Sequence, residues 1–252
     1  MAFTRSPSAS PELKFRIARI PKGGGNFREI YIASPEGNRK LRALLPELES
    51  VLANVDECRA NYAFEKGKNC ALNALQHIGY RYTLSMDLED YFNSVSAKHI
   101  TDLIPSHITE QCLVHGHPKQ GLPTSPLVAT IAFTRCDKRL VNLLKKLGIC
   151  AVYTRYADDL VFSFDNRKDA GKIRVIVRQA IDSFGFKVNE RKTRLQDARN
   201  GRRIITGVAV DDAGIHPTRR TRRKIRAAIH QGNSEAVRGL EEWSKCKLPR
   251  SL

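Results

Sequence analysis

Residues 153–164 read YTRYADDLVFSF: an apolar strand, the acidic doublet Asp158–Asp159, and a second apolar strand. Adjacent carboxylates repel one another, and the chain that sets them side by side carries 43 Lys and Arg against 26 Asp and Glu, a formal net charge of +17. Such a hairpin tip calls for positive charge at that spot. A second strand-like run, RYTLSMDLEDYF, begins at Arg81. Its alternation sends Tyr82, Leu84, Met86 and Leu88 to one side and Thr83, Ser85 and Asp87 to the other, as in a half-buried strand with Asp87 near its carboxyl end.

The order around these two stretches decides the fold. KFRIARIPKGGGNFREIYIAS reads as a hairpin tipped by Lys22, Gly23, Gly24 and Gly25, and residues 38–54 and 67–78 suit helices. After Asp87, the residues Asp90, Tyr91 and Val95 suggest a turn into a short helix, and PSHITEQCLVHGH a second small one. KQGLPTSPLVATIAFTRCDKRLVNLLKKLGI is a loop entering a long helix that Thr124 or Ser125 can cap, with Pro126 in its first turn and Gly148 ending it. The acidic hairpin, over 149–156 and 160–165, follows. Next come a helix with Ile173, Val177, Ala180, Ile181 and Phe184 as its stripe, strands near 186–189 and 203–210, and a turn at DDAG. The doublet Asp211–Asp212 beside Gly214 reads as a solvated turn.

Strand, helix, hairpin, helix, strand is the split βαβ or ferredoxin-like arrangement. There the end of the Asp87 strand lies beside the tip that bears Asp158 and Asp159, so three carboxylates converge. Carboxylates gathered without cationic side chains suit hard divalent cations, and Mg²⁺ takes one or two of them plus substrate phosphates. Two such ions would supply the missing charge and support in-line phosphoryl transfer. Neighbouring residues point different ways, which favours Asp158 over Asp159 as the principal ligand.

Composition bounds the rest. A chain of 252 residues can bury a sizeable core, as one domain or as two or three packed subdomains. With no apolar run near the roughly 20 residues that cross a bilayer, and no apolar h-region in MAFTRSPSASPELK, the expectation is a soluble, cytoplasmic protein behind a disordered lead-in, with no membrane partner. Cys58, Cys70, Cys112, Cys136, Cys150 and Cys246 form no CxxC or Cys/His cluster, so neither a zinc site nor a disulfide framework is suggested and the expectation is reduced core residues. The charge is uneven: from Lys187 onward there are 17 Lys and Arg against 7 Asp and Glu, +10 of the +17. In HPTRRTRRKIRAAIH, helical spacing puts Ile225, Ala228 and Ile229 on one face and Arg219, Arg220, Arg222, Arg223, Lys224 and Arg226 on a basic surface, either an ordinary solvated face or a nucleic-acid grip.

YADD between apolar strands, SMDLEDYF before it and QGLPTSP between them resemble the catalytic motifs of reverse transcriptases, in their bacterial retron and group II intron branch. The resemblance spans about residues 15–230 in the family's order. IPKGGGNFREI and NYAFEKGKN are similar to its two fingers motifs, VNERKT to its lysine-bearing motif, and NALQH and ITGVAV to the two motifs that mark retron enzymes. The resemblance implies an α+β right-hand polymerase: fingers over 15–80, a ferredoxin-like palm over 81–212 with a finger/palm connection at 96–119, and a short, basic helical thumb over 213–252, after a lead-in at 1–14.

It also implies roles. Asp87, Asp158 and Asp159 would hold two Mg²⁺ ions, with Mn²⁺ as a substitute, and Leu88 would lend its backbone carbonyl. Lys192 resembles the lysine that protonates departing pyrophosphate, though in its basic run it suits phosphate backbone equally. Phe92 resembles the steric gate against a 2′-hydroxyl, or is a core residue, for which Tyr91 is the better candidate. Lys22 and Arg28 would neutralise the triphosphate, or simply decorate a solvated turn. Gln120 and Gly121 would lie along the nascent pair, or form a capping turn. Asn73 and His77, one helical turn apart, would contact RNA, or His77 is a satisfied structural histidine. The basic helix would grip phosphates.

The expected partners are dNTPs, a dedicated structured noncoding RNA and the DNA copied from it, together with an accessory effector in antiphage defence. Set beside typical relatives, the stretch between Phe92 and Gln120 and the thumb read as short, and with little chain left for a maturase or endonuclease domain an intron-mobility protein is not expected. A defence-associated or group II-like reverse transcriptase with different priming, and a catalytically silent RNA-binding scaffold, remain as alternatives. A nucleotidyl cyclase would leave the fingers and gate motifs unexplained.

Overall fold

The computed structural model describes residues 13–249, and the chain divides into two compact units. One runs up to Val55 and resumes from Phe92 to Ala132; the other comprises Asp56–Tyr91 and the chain from Phe133 onward. Residues 56–80 fall in the unit that contains the acidic hairpin.

The first unit opens with β1 (Phe15–Gly23) and β2 (Asn26–Ala33), an antiparallel hairpin. Gly23 pairs with Asn26 around Gly24 and Gly25, whose φ values of 61° and 78° give the two-residue turn that matches strand twist. Ser34 caps α1 (Pro35–Ala43) by accepting the Gly37 N–H at 3.1 Å. α2 (Leu45–Val55) follows as a separate element. The single helix expected over 38–54 is broken because Pro46 removes a donor and its ring crowds the carbonyl four residues back. Leu41, Val114 and Leu122 form this unit's core, and Leu13, Phe15 and Tyr31 pack on it. Leu13 and Lys14 are therefore part of the fold, with the Lys14 carbonyl accepting the Ser34 N–H at 2.8 Å; the rest of the expected lead-in lies outside the described residues.

In the second unit α3 (Cys70–Leu75), capped by the Asn69 side chain on the Leu72 N–H at 2.8 Å, precedes β3 (Tyr82–Leu88). The chain then returns to the first unit, over Phe92–Ala132, for most of α4 (Tyr91–Ser94), for α5 (Ser106–Cys112) and for the opening turns of the long α6 (Ser125–Lys146), whose remainder from Phe133 belongs to the second. Neither Thr124 nor Ser125 caps α6: both hydroxyls are buried and bond to nothing in its first turn. Gly148 does end it, at φ 62°. β4 (Ala151–Tyr156) and β5 (Asp159–Phe164), α7 (Asp169–Ser183) and β6 (Val188–Asp197) complete an antiparallel sheet in the order β4-β5-β3-β6. This is the expected ferredoxin-like order. β7 (Arg203–Ile205), β8 (Val208–Asp211) and β9 (Gly214–Pro217) make a second sheet, and α8 (Arg219–His230) and α9 (Ser234–Ser244) follow.

The two faces of the four-stranded sheet are covered differently. On one, Tyr82, Leu84, Met86 and Leu88 of β3 are at most 4% exposed, and α6 lies on this side through Asp137, which bonds Tyr153 and Arg155 of β4. On the other, Cys70 and Ala74 of α3 pack with Val161 of β5 and with Ile205, Val208 and Val210 of the second sheet. That cover buries Thr83 completely, so β3 is not half-buried along its whole length, and the face opens only toward Asp87. Three further expectations change. Ile229 is 57% exposed because the buried stripe of α8 runs through Thr221 and Ala228. Cys150 is exposed, whereas Cys70, Cys112 and Cys136 are buried. Asp211 is more than a solvated turn: it accepts from Arg202 Nε at 2.7 Å, from His216 Nε2 at 2.9 Å and from two backbone N–H groups of its turn.

Arg155 and Asp137 are both fully buried and bonded through Nη2 to Oδ2 at 2.7 Å and Nε to Oδ2 at 3.0 Å. Tyr153 donates its hydroxyl to the other oxygen, Oδ1, at 2.6 Å. Removing one partner of a buried ion pair strands the other charge in low dielectric. Asp137→Ala is therefore expected to lower unfolding stability by about 3–5 kcal/mol, read as a shift in the urea midpoint; an unmoved midpoint contradicts the pairing.

Candidate active site

The site is built at the strand ends. Tyr156 and Asp159 pair across β4 and β5, leaving Ala157 and Asp158 as the whole connection. Ala157 takes φ 56°, a left-handed conformation that costs a residue with a Cβ about 1–2 kcal/mol. Across the next ladder Asp87 sits directly opposite Asp159, and the Leu88 N–H donates to the Asp158 carbonyl at 3.0 Å. Residues some seventy positions apart in sequence are thereby fixed side by side.

What holds the strained turn is the buried ion pair beneath it. Arg155, two residues before Ala157, directs Nη1 toward the Ala157 carbonyl at 3.4 Å and the Tyr91 hydroxyl at 3.3 Å. Its own backbone is clasped from the other side, donating N–H to the Ala60 carbonyl at 2.7 Å and accepting the Tyr62 N–H at 2.8 Å. Burial opposes the charged guanidinium, yet Asp137 outweighs it and holds Arg155 protonated. Sequence reasoning passed over Arg155 and Asp137, although each left a signal: a charge within an apolar alternation (Tyr153, Arg155), and a charge four residues after Phe133 on the buried face of a helix.

Positive charge reaches the carboxylates from the protein itself. Lys192 Nζ donates to both oxygens of Asp87, at 3.0 and 2.9 Å. It gets there through an irregular register: Ser85 pairs with Arg194 but Asp87 pairs with Asn189, so β6 places residues 190–193 where β3 has only Met86. Glu190 anchors that bulge, accepting from Arg178 Nε at 3.1 Å and Arg174 Nη2 at 3.4 Å. Hydrogen bonding to Asp87 raises the Lys192 ammonium above its usual range. The Asp159 carboxyl is pushed up to about 6, first by burial and then by the charges of Asp158 and Asp87, with Lys192 working against the shift. Asp87, Asp159 and Lys192 line a groove of about 340 Å³ that continues past Arg194 to Ile204, Thr206 and Gly207.

The donor chemistry fits a hard divalent cation as a partial platform. Repelling carboxylates already share the tip, but among the described residues no three His, Cys, Asp or Glu side chains are gathered into a ready cage. An ion taken here would draw its remaining ligands from phosphate and water, as Mg²⁺ commonly does.

The structure brings together Asp87, Asp158, Asp159 and Lys192, with Leu88 buried beside them. Lys22, Arg28, Phe92, Gln120 and Gly121 belong to the other compact unit. Lys22 and Arg28 are exposed on the β1–β2 hairpin, and Phe92 is half-buried in α4, next to Tyr91, which is 3% exposed. Gly121 approaches its own unit: a Cβ there would come within 2.6 Å of Ile30 Cγ2 and the Tyr31 carbonyl, and the Gln120 carbonyl accepts the Tyr31 N–H at 2.8 Å. Packing against β2 thus accounts for the glycine.

Asn73 and His77 require correction as nucleic-acid contacts. Both are 0% exposed. His77 bonds Ser163 Oγ through Nδ1 at 2.9 Å and Thr154 Oγ1 through Nε2 at 2.7 Å, and burial followed by the charge of Arg203 lowers its pKa to about 3. It is a neutral structural histidine. The cations of α8, Arg219, Arg220, Arg222, Arg223, Lys224 and Arg226, are all exposed.

Residues 20–204 match the family described as reverse transcriptase (RNA-dependent DNA polymerase). Among curated relatives, the Retron Ec86 reverse transcriptase of Escherichia coli is 30% identical over 92% of this chain and 75% of its own length. The Retron Mx65 reverse transcriptase of Myxococcus xanthus is 30% identical over 84% of this chain and 54% of its own, so the chain spans about half of that relative. Among solved structures, apo telomerase from Candida tropicalis truncated from its C-terminal domain shares the fold at TM-score 0.57 and 14% identity, over 81% of this chain and 55% of that one. A foamy viral protease-reverse transcriptase does so at TM-score 0.51 and 19% identity, over 84% and 32%. No helix among the described residues is long and apolar enough to cross a membrane.

The elevated Asp159 carboxyl sets a pH dependence. The folded state holds a proton that the unfolded chain, with an ordinary Asp near 3.9, releases first, so this residue's contribution to stability falls as pH rises from about 4 to about 6 and stays low above. In chelator, Asp159→Asn is expected to be more stable than the parent above about pH 6, the gap closing by about pH 4; urea midpoints showing a pH-independent gap contradict it.

Proposed function

Because the chain belongs to the bacterial retron-type reverse transcriptases, we propose that it copies a dedicated structured noncoding RNA into DNA, by nucleotidyl transfer at Asp87, Asp158 and Asp159. The observation that carries this reading is the ladder pairing of Asp87 with Asp159, both lining one groove, with the Asp158 carbonyl tied to the Leu88 N–H beside them. An acidic pair of this kind in a chain of net charge +17 suits a polyanionic substrate that brings its own phosphates.

Dependence on divalent metal ions comes with the family. Mg²⁺ or Mn²⁺, held by Asp87 and Asp158, with Asp159 and the Leu88 carbonyl beside them, would stabilise the charge that develops on the attacking and leaving oxygens. Lys192 has a second task once phosphate enters. Its side chain is 60% exposed, so the ammonium can leave Asp87 for the departing pyrophosphate while holding a proton at Nζ. Lys22 and Arg28 on the β1–β2 hairpin would neutralise the triphosphate, with Gln120 and Gly121 along the nascent pair. Phe92, at the start of α4, would bar a 2′-hydroxyl. The exposed cations of α8 would take template and primer phosphates, whose counterions are released on binding. Antiphage defence with an accessory effector is the biological setting this reading assigns.

Incorporation of labelled dNTP on a primed RNA template tests the chemistry. Asp87→Ala and Asp158→Ala are each expected to lower it by two orders of magnitude or more, roughly the scale of losing a principal electrostatic contact in the transition state; undiminished incorporation contradicts the reading. In the same assay Phe92→Ala is expected to raise ribonucleotide use, and an unchanged sugar preference removes Phe92 from the gate. Nucleic acid copurified with the protein is expected to contain one structured RNA and DNA copied from it; unrelated cellular RNA alone contradicts the retron assignment.

A further inference from the structure

Phe92 stands on a helix too short to hold itself. α4 is a single turn, Tyr91–Ser94. A first helical turn fixes several backbone dihedrals for one hydrogen bond, so it forms only where its surroundings impose it. Asp90 leads into it at φ 44°, a left-handed conformation unfavourable for a residue with a Cβ. The direction of the Phe92 ring therefore depends on what grips the residues after it.

That grip comes from the segment running into Gln120. His115 and Gly116 form a tight turn, at φ 52° and 78°, closed by the Val114–His117 bridge, whose backbone groups exchange hydrogen bonds at 2.9 and 3.2 Å. His117 Nδ1 then meets the Val95 carbonyl at 2.7 Å. A carbonyl only accepts, so Nδ1 carries the proton. Val95, one residue past α4, is 0% exposed. Two residues on, Lys119 Nζ donates to Asn93 Oδ1 at 2.9 Å, and the same ammonium lies 5.7 Å from the centre of the Tyr31 ring. Gln120 accepts the Tyr31 N–H through its carbonyl at 2.8 Å. Within one compact unit, residues 117–120 thus strap the end of α4 to β2, the strand that carries Arg28.

The two bonds to α4 and its exit differ in kind. His117 satisfies the main-chain carbonyl of a core residue, which a stable fold requires in any case. Lys119 is half-buried and Asn93 exposed, so their bond satisfies no buried group, yet it grips the residue directly after Phe92. Its effect is geometric: with Asn93 and Val95 both held, the turn between them cannot rotate about its axis, and the ring is aimed.

We propose that Lys119 is a positioning residue for sugar selection: through Asn93 it sets the angle at which Phe92 stands under the incoming sugar, and the preference for deoxynucleotides depends on that bond. The inference rests on the polymerase reading and on Phe92 as its gate. A wall that rejects one hydroxyl does so by steric clash, and a ring free to rotate yields to it.

Steady-state incorporation of a dNTP and of the matching rNTP on one primed RNA template gives kcat/KM for each, and the ratio of the two is the readout. Lys119→Met keeps the length of the side chain and removes the donor; Asn93→Ala removes the acceptor. Each is expected to raise kcat/KM for the rNTP and lower the deoxy-over-ribo ratio about 3–10-fold, the scale of one hydrogen bond. The double variant is expected to fall no further than the poorer single, because the two act as a unit. Asn93→Asp still accepts from Lys119 and is expected to keep the parent ratio. Added to Phe92→Ala, Lys119→Met is expected to change nothing more, since it acts through the ring. An unchanged ratio in Lys119→Met, equal losses for both sugars, a ratio that falls through the dNTP alone, additive losses in the double variant, or the same fall in Asn93→Asp as in Asn93→Ala overturns the proposal. Phe92→Ala separates the two readings. If it leaves the sugar preference as it was, the gate reading fails and takes this inference with it; if it relaxes the preference while Lys119→Met does not, only the inference fails.

Discussion

The β3–β5 ladder fixes a register that sets Asp87 opposite Asp159, and a one-residue slip would turn either carboxylate to the apolar face. Everything else about the acidic face follows from having to tolerate that arrangement. The face carries a row of polar side chains along β3: Thr83, Ser85, Asp87. Where α3 and the second sheet cover it, hydroxyls, an imidazole and a guanidinium bond one another in sequence. Where it is open, the row ends in carboxylates that repel one another, and Lys192 offsets that repulsion from its place on Asp87. Structure and chemistry divide one strand between them, and the boundary falls where the cover stops.

The opposite face shows how the tip is kept in place. A hairpin with a left-handed alanine and adjacent acids has little intrinsic reason to hold its shape, and Arg155 is what stands beneath it, paired with Asp137 and touching the Ala157 carbonyl. A buried ion pair contributes little net stability against an apolar replacement, but it is costly to break and strict about geometry. That combination suits a support for a turn whose side chains must meet a substrate at fixed distances.

Much of this was legible in the sequence. The alternation through β3, the apolar stripe of α7 and the strand–acid–strand hairpin each announce their element, and their order gives the sheet. Local patterns carry that information because periodicity is a property of neighbours. The failures concern relations between distant residues. Thr83 reads as solvent-facing because its cover is supplied by α3 and by strands more than a hundred residues later. Asn73 reads as an RNA contact and His77 as an RNA contact or a structural histidine, since helical spacing says which residues share a face but not what faces them. Lys192 was placed by motif, but its grip on Asp87 depends on a bulge in β6 that no periodicity foretells. Thr124 and Ser125 illustrate the reverse: a good capping signal that the helix does not use.

The central claim is that two strands distant in sequence present one shared cation site. Loading the protein with Fe²⁺ in place of Mg²⁺ and adding ascorbate and peroxide generates hydroxyl radicals that cut the chain within a few ångströms of the bound ion. The account predicts two clusters of cuts in the same molecule, one around Asp87 and one around Asp158–Asp159, both suppressed by excess Mg²⁺ and both lost in Asp87→Asn. Cuts confined to one of the two segments, or two clusters that respond independently to the substitution, would contradict it.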